Sequence, residues 1–267
     1  MSQQTVIIMR HAEREDDAKG YQGPQLSDPE ITPAGEQSTI AAAKAIAVHY
    51  KVSLVVASPF LRCVQTAKLA VQHFLPGAKV VFDNGLHEVN NQGKIKSDRP
   101  LSLTPIVASS VCNPPCPRWG ENLQEATDRF VSAVSRIARA YPNDRTICLV
   151  THGDAVSTIA RLGLLGAASS SCSEDEVIVY NCDFNGWAAV RLSPGPARHT
   201  LRIGRAVGLE WTGVDIPKGG IPEPNSSEGQ RSFPQPDVPR LVDEERLAIM
   251  RPMDSPRKID CCGCVIV

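Results

Sequence analysis

Short, continuously apolar runs set between amphipathic helical stretches constrain this chain more than any other feature. Val6-Ile7-Ile8-Met9, Leu54-Val55-Val56-Ala57 and Ile147-Cys148-Leu149-Val150 carry no polar residue at alternate positions. A strand that reads this way is buried on both faces. Lys79 to Phe82 is a further short strand. Between them lie helical patterns. Thr32 and Pro33 fit the cap and first position of a helix running to about Tyr50, with Ile40, Ala43, Ile46 and Ala47 on its apolar face. Ser58-Pro59 reads as another cap, followed by a helix to about Phe74 that places Arg62 in its first turn. A third helix, to about Tyr141, carries Leu123, Ala126, Phe130, Val134, Ile137 and Ala138 on one stripe. Ala155 to Leu165 is a fourth. The alternation predicts an α/β fold, a mostly parallel central sheet flanked by helices on both faces. Val177–Asn181 and Trp187–Leu192 read as a strand pair turned by Asn185-Gly186.

A chain of 267 residues is long enough for one sizeable core and an appendage. The strand–helix pattern stops near Gly213, which divides residues 1–213, a catalytic domain, from 214–267. Ile216 to Arg240 is dominated by Pro, Gly, Ser and Glu, with Phe233 its one aromatic, so the tail is expected to be disordered. Leu241 to Met250 has the pattern of one short helix. The irregular stretch from Asn90 to Arg118 reads as a lid or insertion that shapes access. A net charge of −1 supplies no general field for nucleic acid, so any anion site must be local. Nine cysteines without a secretory signal pattern point to a reducing, cytoplasmic setting. Cys112 and Cys116 have no companion pair, which argues against zinc. Cys264-Val265-Ile266-Val267 has the form of a prenylation signal, with Cys261 and Cys262 placed as palmitoylation sites would be. Two lipid signals would hold the protein at the cytosolic face of a membrane.

The chemistry-bearing residues gather at the expected carboxyl ends of strands. The first strand runs into Arg10-His11 and the fourth into His152. Arg62 follows the second and Glu88 follows the third. Open α/β sheets bind ligands at this edge. Arg62 beside the unpaired N–H groups of a helix start is electrostatically awkward unless an anion is shared. Taken singly, His11 and His152 read more readily as hydrogen-bonded structural histidines than as catalysts, and Arg62 as a surface arginine. His87, next to Glu88, should point the other way on an extended segment. Together the residues fit phosphoryl transfer: one imidazole attacks phosphorus, cations balance the oxygens, and a carboxyl group protonates the leaving oxygen. The scheme requires no metal or other cofactor.

The tract Arg10-His11-Ala12-Glu13-Arg14, followed by Asp28-Pro29, Ile31-Thr32, Gly35, Ser58-Pro59-Phe60-Leu61-Arg62-Cys63-Val64-Gln65-Thr66-Ala67, Glu88, Gly120-Glu121 and His152-Gly153-Asp154, resembles the histidine phosphatase (phosphoglycerate mutase-like) superfamily. The resemblance covers roughly residues 5 to 192. It implies that His11 is the phosphorylated nucleophile, that Arg10, Arg62 and His152 form the phosphate pocket, and that Glu88 is the proton donor. Arg14 matches the Arg-His-Gly-Glu-Arg variant of the branch that includes the Sts-type protein phosphatases, which implies an extra phosphate or substrate contact. Glu13 either pairs with Arg14 or orients a neighbour.

Ala12 departs from the family glycine. A position that needed positive φ or close backbone approach would be strained by the methyl, at a cost on the order of 1 kcal/mol. The expected function is phosphomonoester hydrolysis on a phosphorylated small molecule or phosphoprotein. Two alternatives stand beside it: a phosphoglycerate mutase-type phosphotransferase, and a catalytically weak, membrane-tethered scaffold that binds phospholigands. Glu13-Arg14 favours hydrolysis over the mutase, and Ala12 motivates the scaffold. Neither the substrate nor the oligomeric state is legible in the sequence.

Overall fold

In the computed structural model the sheet is laid down strand by helix. β1 (Gln4–Arg10) is followed by α1 (Pro33–His49), β2 (Leu54–Ala57), α2 (Leu61–Val71), β3 (Lys79–Phe82) and the short α3 (Gln92–Ile95). Then come α4 (Leu123–Ala140), β4 (Thr146–Thr151), α5 (Gly153–Leu165), β5 (Cys182–Pro194), β6 (Leu201–Ile203) and β7 (Trp211–Val214). The structure describes residues 4–24, 26–99, 101, 114–165, 182–194, 201–203 and 211–214. Sheet order is β3-β2-β4-β1-β5-β6, with β7 also on β5. The first four strands are mutually parallel, with Ile7 opposite Cys148 and Val55 opposite both Val80 and Cys148. β5 runs antiparallel to β1, Val6 facing Val190.

Residue-by-residue alternation explains why the strands are apolar throughout. Val6, Ile8, Val56, Ile147 and Leu149 point to the layer built by α4 and α5, where Phe130, Val134 and Ile159 cover them. Ile7, Met9, Val55, Cys148 and Val150 point to the opposite layer, under Ala43 and Ile46 of α1 and Ala67 and Ala70 of α2. The helices begin where their caps place them. Thr32 Oγ1 accepts from Gly35 N at 2.9 Å with Pro33 in the first position. Asn122 and Glu125 form a reciprocal capping box at α4.

Three sequence expectations change. Ser58 does not cap α2: the helix starts at Leu61, whose N–H is taken by the Asp28 carboxylate at 3.0 Å, and it ends at Val71 rather than near Phe74. Asn185-Gly186 does not turn a hairpin. β5 passes straight through it, with Asn185 at φ +59° and a register shift against β7 between Cys182 and Trp187. Asparagine tolerates the left-handed region as well inside a bulged strand as in a turn. Here Asn185 Nδ2 donates to Ser38 Oγ at 2.6 Å and its Oδ1 accepts from Thr39 at 3.1 Å. Val177–Asn181 lies outside the described residues, as do most of the 90–118 insertion's centre, the tail beyond Val214 with its expected helix, and Cys261, Cys262 and Cys264. No helix among the described residues is long and apolar enough to cross a membrane.

Candidate active site

Because β1, β2 and β4 are parallel, their carboxyl ends lie together and are stitched by backbone hydrogen bonds. His11 N donates to Thr151 O and Ser58 N to Val150 O, both at 2.9 Å. Thr151 Oγ1 then donates to Leu86 O at 2.8 Å, fastening the loop that carries Glu88 to the same edge. The predicted residues His11, Arg62, Glu88 and His152 converge there, and the rings of His11 and His152 meet edge to face with centroids 5.4 Å apart.

His11 is buried, and its Nδ1 lies 2.8 Å from Ala12 O. A carbonyl only accepts, so Nδ1 carries the proton and Nε2 is the bare nitrogen. Burial, then the charges of Arg62 and Arg10, hold the ring well below the ordinary histidine range, so it is neutral at neutral pH.

Arg62 is 1% exposed. Its Nη1 stands 3.4 Å from Asp28 Oδ1, and its Nη2 stands 3.3 Å from His152 Nδ1 and 3.6 Å from Glu88 Oε2. Arg10 donates through Nη1 to Cys182 O and lies 4.0 Å from the centre of the Phe184 ring. The Nε–H of Arg10 and that of Arg62 are buried without a partner among the described residues. Buried donors are nearly always paired. Two orphans at one edge beside a bare imidazole nitrogen suit an oxyanion.

His152 is fully buried and neutral, its pKa pulled well below 6.5 by burial and by Arg62. Behind it, Ser58 Oγ is 2.9 Å from Nε2. In front, Glu88 Oε2 is 3.3 Å from Nδ1. Burial and then the charge of Asp154 raise the pKa of Glu88, which favours the protonated form that a general acid needs. The Glu88 loop is clasped by Arg129, which spends all five donors. Two go to Glu121, at 2.7 Å each, and the others reach Gly85 O, His87 O and Glu88 O.

The remaining residues of the opening tract have internal roles. Among the described residues only Lys96 and Asn185 adopt positive φ without being glycine, so Ala12 is unstrained. Its methyl packs with Ile31 and Leu69, and its N–H donates to Thr66 Oγ1 at 3.1 Å. The close backbone approach falls instead on Gly35, where a Cβ would come within 2.9 Å of Glu13 O. Glu13 accepts from Thr32 Oγ1 at 2.6 Å rather than pairing with Arg14. Arg14 grips Asp16 through two bonds, at 2.8 and 2.6 Å, and donates to Leu26 O. Its Nε and Nη2 are thus tied to the 16–26 loop, and its charge adds to those around His11. His87 buries its ring against Phe60 at 4.6 Å, and Phe60 in turn lies 5.0 Å from the His152 ring.

The sequence carries Asp28, Thr66, Glu121 and Asp154 within its motifs without showing their partners, it offers Ser58 only as a cap, and it gives no signal for Arg129. Each acts through a partner far along the chain, so the spacing held no local signal for them.

Residues 6–192 match the family model described as the histidine phosphatase superfamily, branch 1. No curated protein sequence matches the chain. Among solved structures, the chain is similar to a mycobacterial glucosyl-3-phosphoglycerate phosphatase at 17% identity, covering 80% of this chain and 98% of that one, with a TM-score of 0.53. It is also similar to the ecdysone phosphate phosphatase of Bombix mori at 18% identity, covering 86% and 98%, with a TM-score of 0.54. At such identities the likeness is one of fold.

Proposed function

The chain belongs to the histidine phosphatase superfamily, and from that premise we propose that it hydrolyses organic phosphomonoesters through a phosphohistidine at His11. One observation carries the reading: a neutral imidazole, tied through Nδ1 to Ala12 O and with Nε2 bare, feels the charges of two arginines whose buried Nε–H groups have no partner among the described residues. In the first step Nε2 attacks phosphorus, the P–O bond breaks, and Glu88 gives its proton to the leaving oxygen. Arg10, Arg62 and His152 hold the equatorial oxygens. In the second step the Glu88 carboxylate takes a proton from water, the oxygen attacks phosphorus, and the P–N bond breaks to free phosphate and His11. The two similar structures quoted above are named as phosphatases of glucosyl-3-phosphoglycerate and of ecdysone phosphate, which supports a substrate whose phosphate is carried on an organic hydroxyl.

Ala12 no longer motivates a weakened scaffold, since its methyl is accommodated without positive φ. Glu13 and Arg14 are engaged within the protein and so do not separate hydrolase from mutase. Turnover does. Release of inorganic phosphate from an aryl phosphate, lost in His11→Ala together with an acid-labile phosphoenzyme, supports the hydrolase. Ester binding without turnover in the wild type would overturn it.

A further inference from the structure

Lys94 and Asp154 form an ion pair that the scheme above does not use. Lys94 Nζ lies 2.7 Å from Asp154 Oδ2, with the lysine side chain 47% exposed and the aspartate 8%. Asp154 is in the first turn of α5, two residues after His152, where a carboxylate complements the helix end. Lys94 belongs to α3, in the segment that continues from Glu88. Asn91 caps α3 and also donates through Nδ2 to Glu121 O at 2.8 Å, while Ile95 is buried in the core. The pair therefore ties the loop carrying the acid to the helix that follows the second histidine.

We propose that Lys94 and Asp154 are positioning residues for Glu88: their ion pair ties the segment that follows the acid to the helix that follows His152, and so sets the charge beside the reacting carboxyl. The inference rests on the phosphatase reading with Glu88 as donor. The groups facing Glu88 come from five elements. Arg62 of α2 stands 3.6 Å away and His152, at the end of β4, 3.3 Å. Asp154 of α5 raises its pKa and Lys94 of α3 lowers it, and Arg129 of α4 bonds only its backbone carbonyl. Arg62 and His152 have phosphate to hold, which leaves the Asp154–Lys94 balance as the adjustable part. An exposed ion pair would contribute little, but here one end is buried beside the reacting groups.

The test is the pH dependence of kcat/KM for wild type, Lys94→Met and Asp154→Asn on two esters. An alkyl phosphate needs its leaving oxygen protonated, whereas 4-nitrophenyl phosphate does not. On the alkyl ester, Lys94→Met should move the alkaline limb up by about one pH unit, and Asp154→Asn should move it down by about as much. On the nitrophenyl ester both variants should keep the wild-type limb. Superimposed limbs on the alkyl ester, or equal shifts on both esters, would overturn the inference while leaving the phosphatase reading intact. If the wild type hydrolyses neither ester, that reading falls and the inference with it. Should Asp154→Asn fail to fold, Lys94→Met and Lys94→Gln, at a half-exposed position, decide alone.

Discussion

Ser58 Oγ stands 2.9 Å from His152 Nε2, on the side of the imidazole opposite Glu88. Ser58 Oγ holds the ring at Nε2, and Nδ1 faces both Glu88 Oε2 and the Arg62 Nη2 donor. Ser58→Ala frees a buried ring, and kcat should fall about tenfold, equivalent to about 1.4 kcal/mol, with little change in KM. Steady-state kinetics on an aryl phosphate reads both. A rise in KM at constant kcat would instead make Ser58 a binding residue.

Ala12→Gly restores the residue usual in the family, yet it should not raise kcat, because no strain is present to relieve. It should lower stability by about 1.5 kcal/mol, from one buried methyl lost between Ile31 and Leu69 and from the added freedom of the unfolded chain. Urea unfolding and aryl phosphate turnover measured on one preparation check both halves.

Arg129→Lys keeps the charge and abandons most of the five bonds that gather Glu121 and the carbonyls of Gly85, His87 and Glu88. The carbonyls left behind and a Glu121 reduced to its bond from Asn90 N should cost roughly 2–3 kcal/mol of stability. Turnover of an alkyl phosphate should drop further than that of 4-nitrophenyl phosphate, because the Glu88 carboxyl is displaced more than His11. Equal losses on the two esters would mean that the clasp supports the whole edge rather than the acid.

What was legible in the sequence follows from the range of each interaction. The strands from Val6, Leu54 and Ile147 were readable because a strand covered on both faces has to be apolar at every position, and β3, which starts at an exposed Lys79, was readable only from the run Val80-Val81-Phe82. His11 and His152 were readable because each stands directly after such a strand, and Arg62 because it lies in the first turn of the helix that follows one. Ser58 was misread as a helix cap because Ser-Pro before a helix is a cap signature, and nothing local reveals a histidine 94 residues away. Asp28 was missed as the true partner of Leu61 N for the same reason, its contact lying across 33 residues. Asn185-Gly186 carried a real signal for a left-handed residue but not for the structure around it, which Ser38 and Thr39 of α1 decide.

His87 offers a test of burial that does not depend on catalysis. Its ring packs on Phe60, its Nδ1 donates to Glu88 O at 2.9 Å, and burial brings its pKa down to about 4. An unfolded histidine takes a proton near pH 6.5. Between those values the unfolded chain holds a proton that the folded protein lacks. The stabilisation from His87 is therefore complete above pH 6.5 and is lost as pH falls toward 4. Asp28 acts in the opposite sense: burial lifts its pKa to about 6, so the folded state keeps a proton that the unfolded state releases. The wild-type slope mixes these two with the neutral His11 and His152, and only a comparison isolates one of them. His87→Gln retains a donor for Glu88 O and removes the titration. Its unfolding free energy should fall less steeply than the wild type's between about pH 6 and 4.5, by about 1.4 kcal/mol per pH unit. Equal slopes in urea titrations across that interval would mean that the ring is already protonated in the folded protein, against its apolar setting beside Phe60.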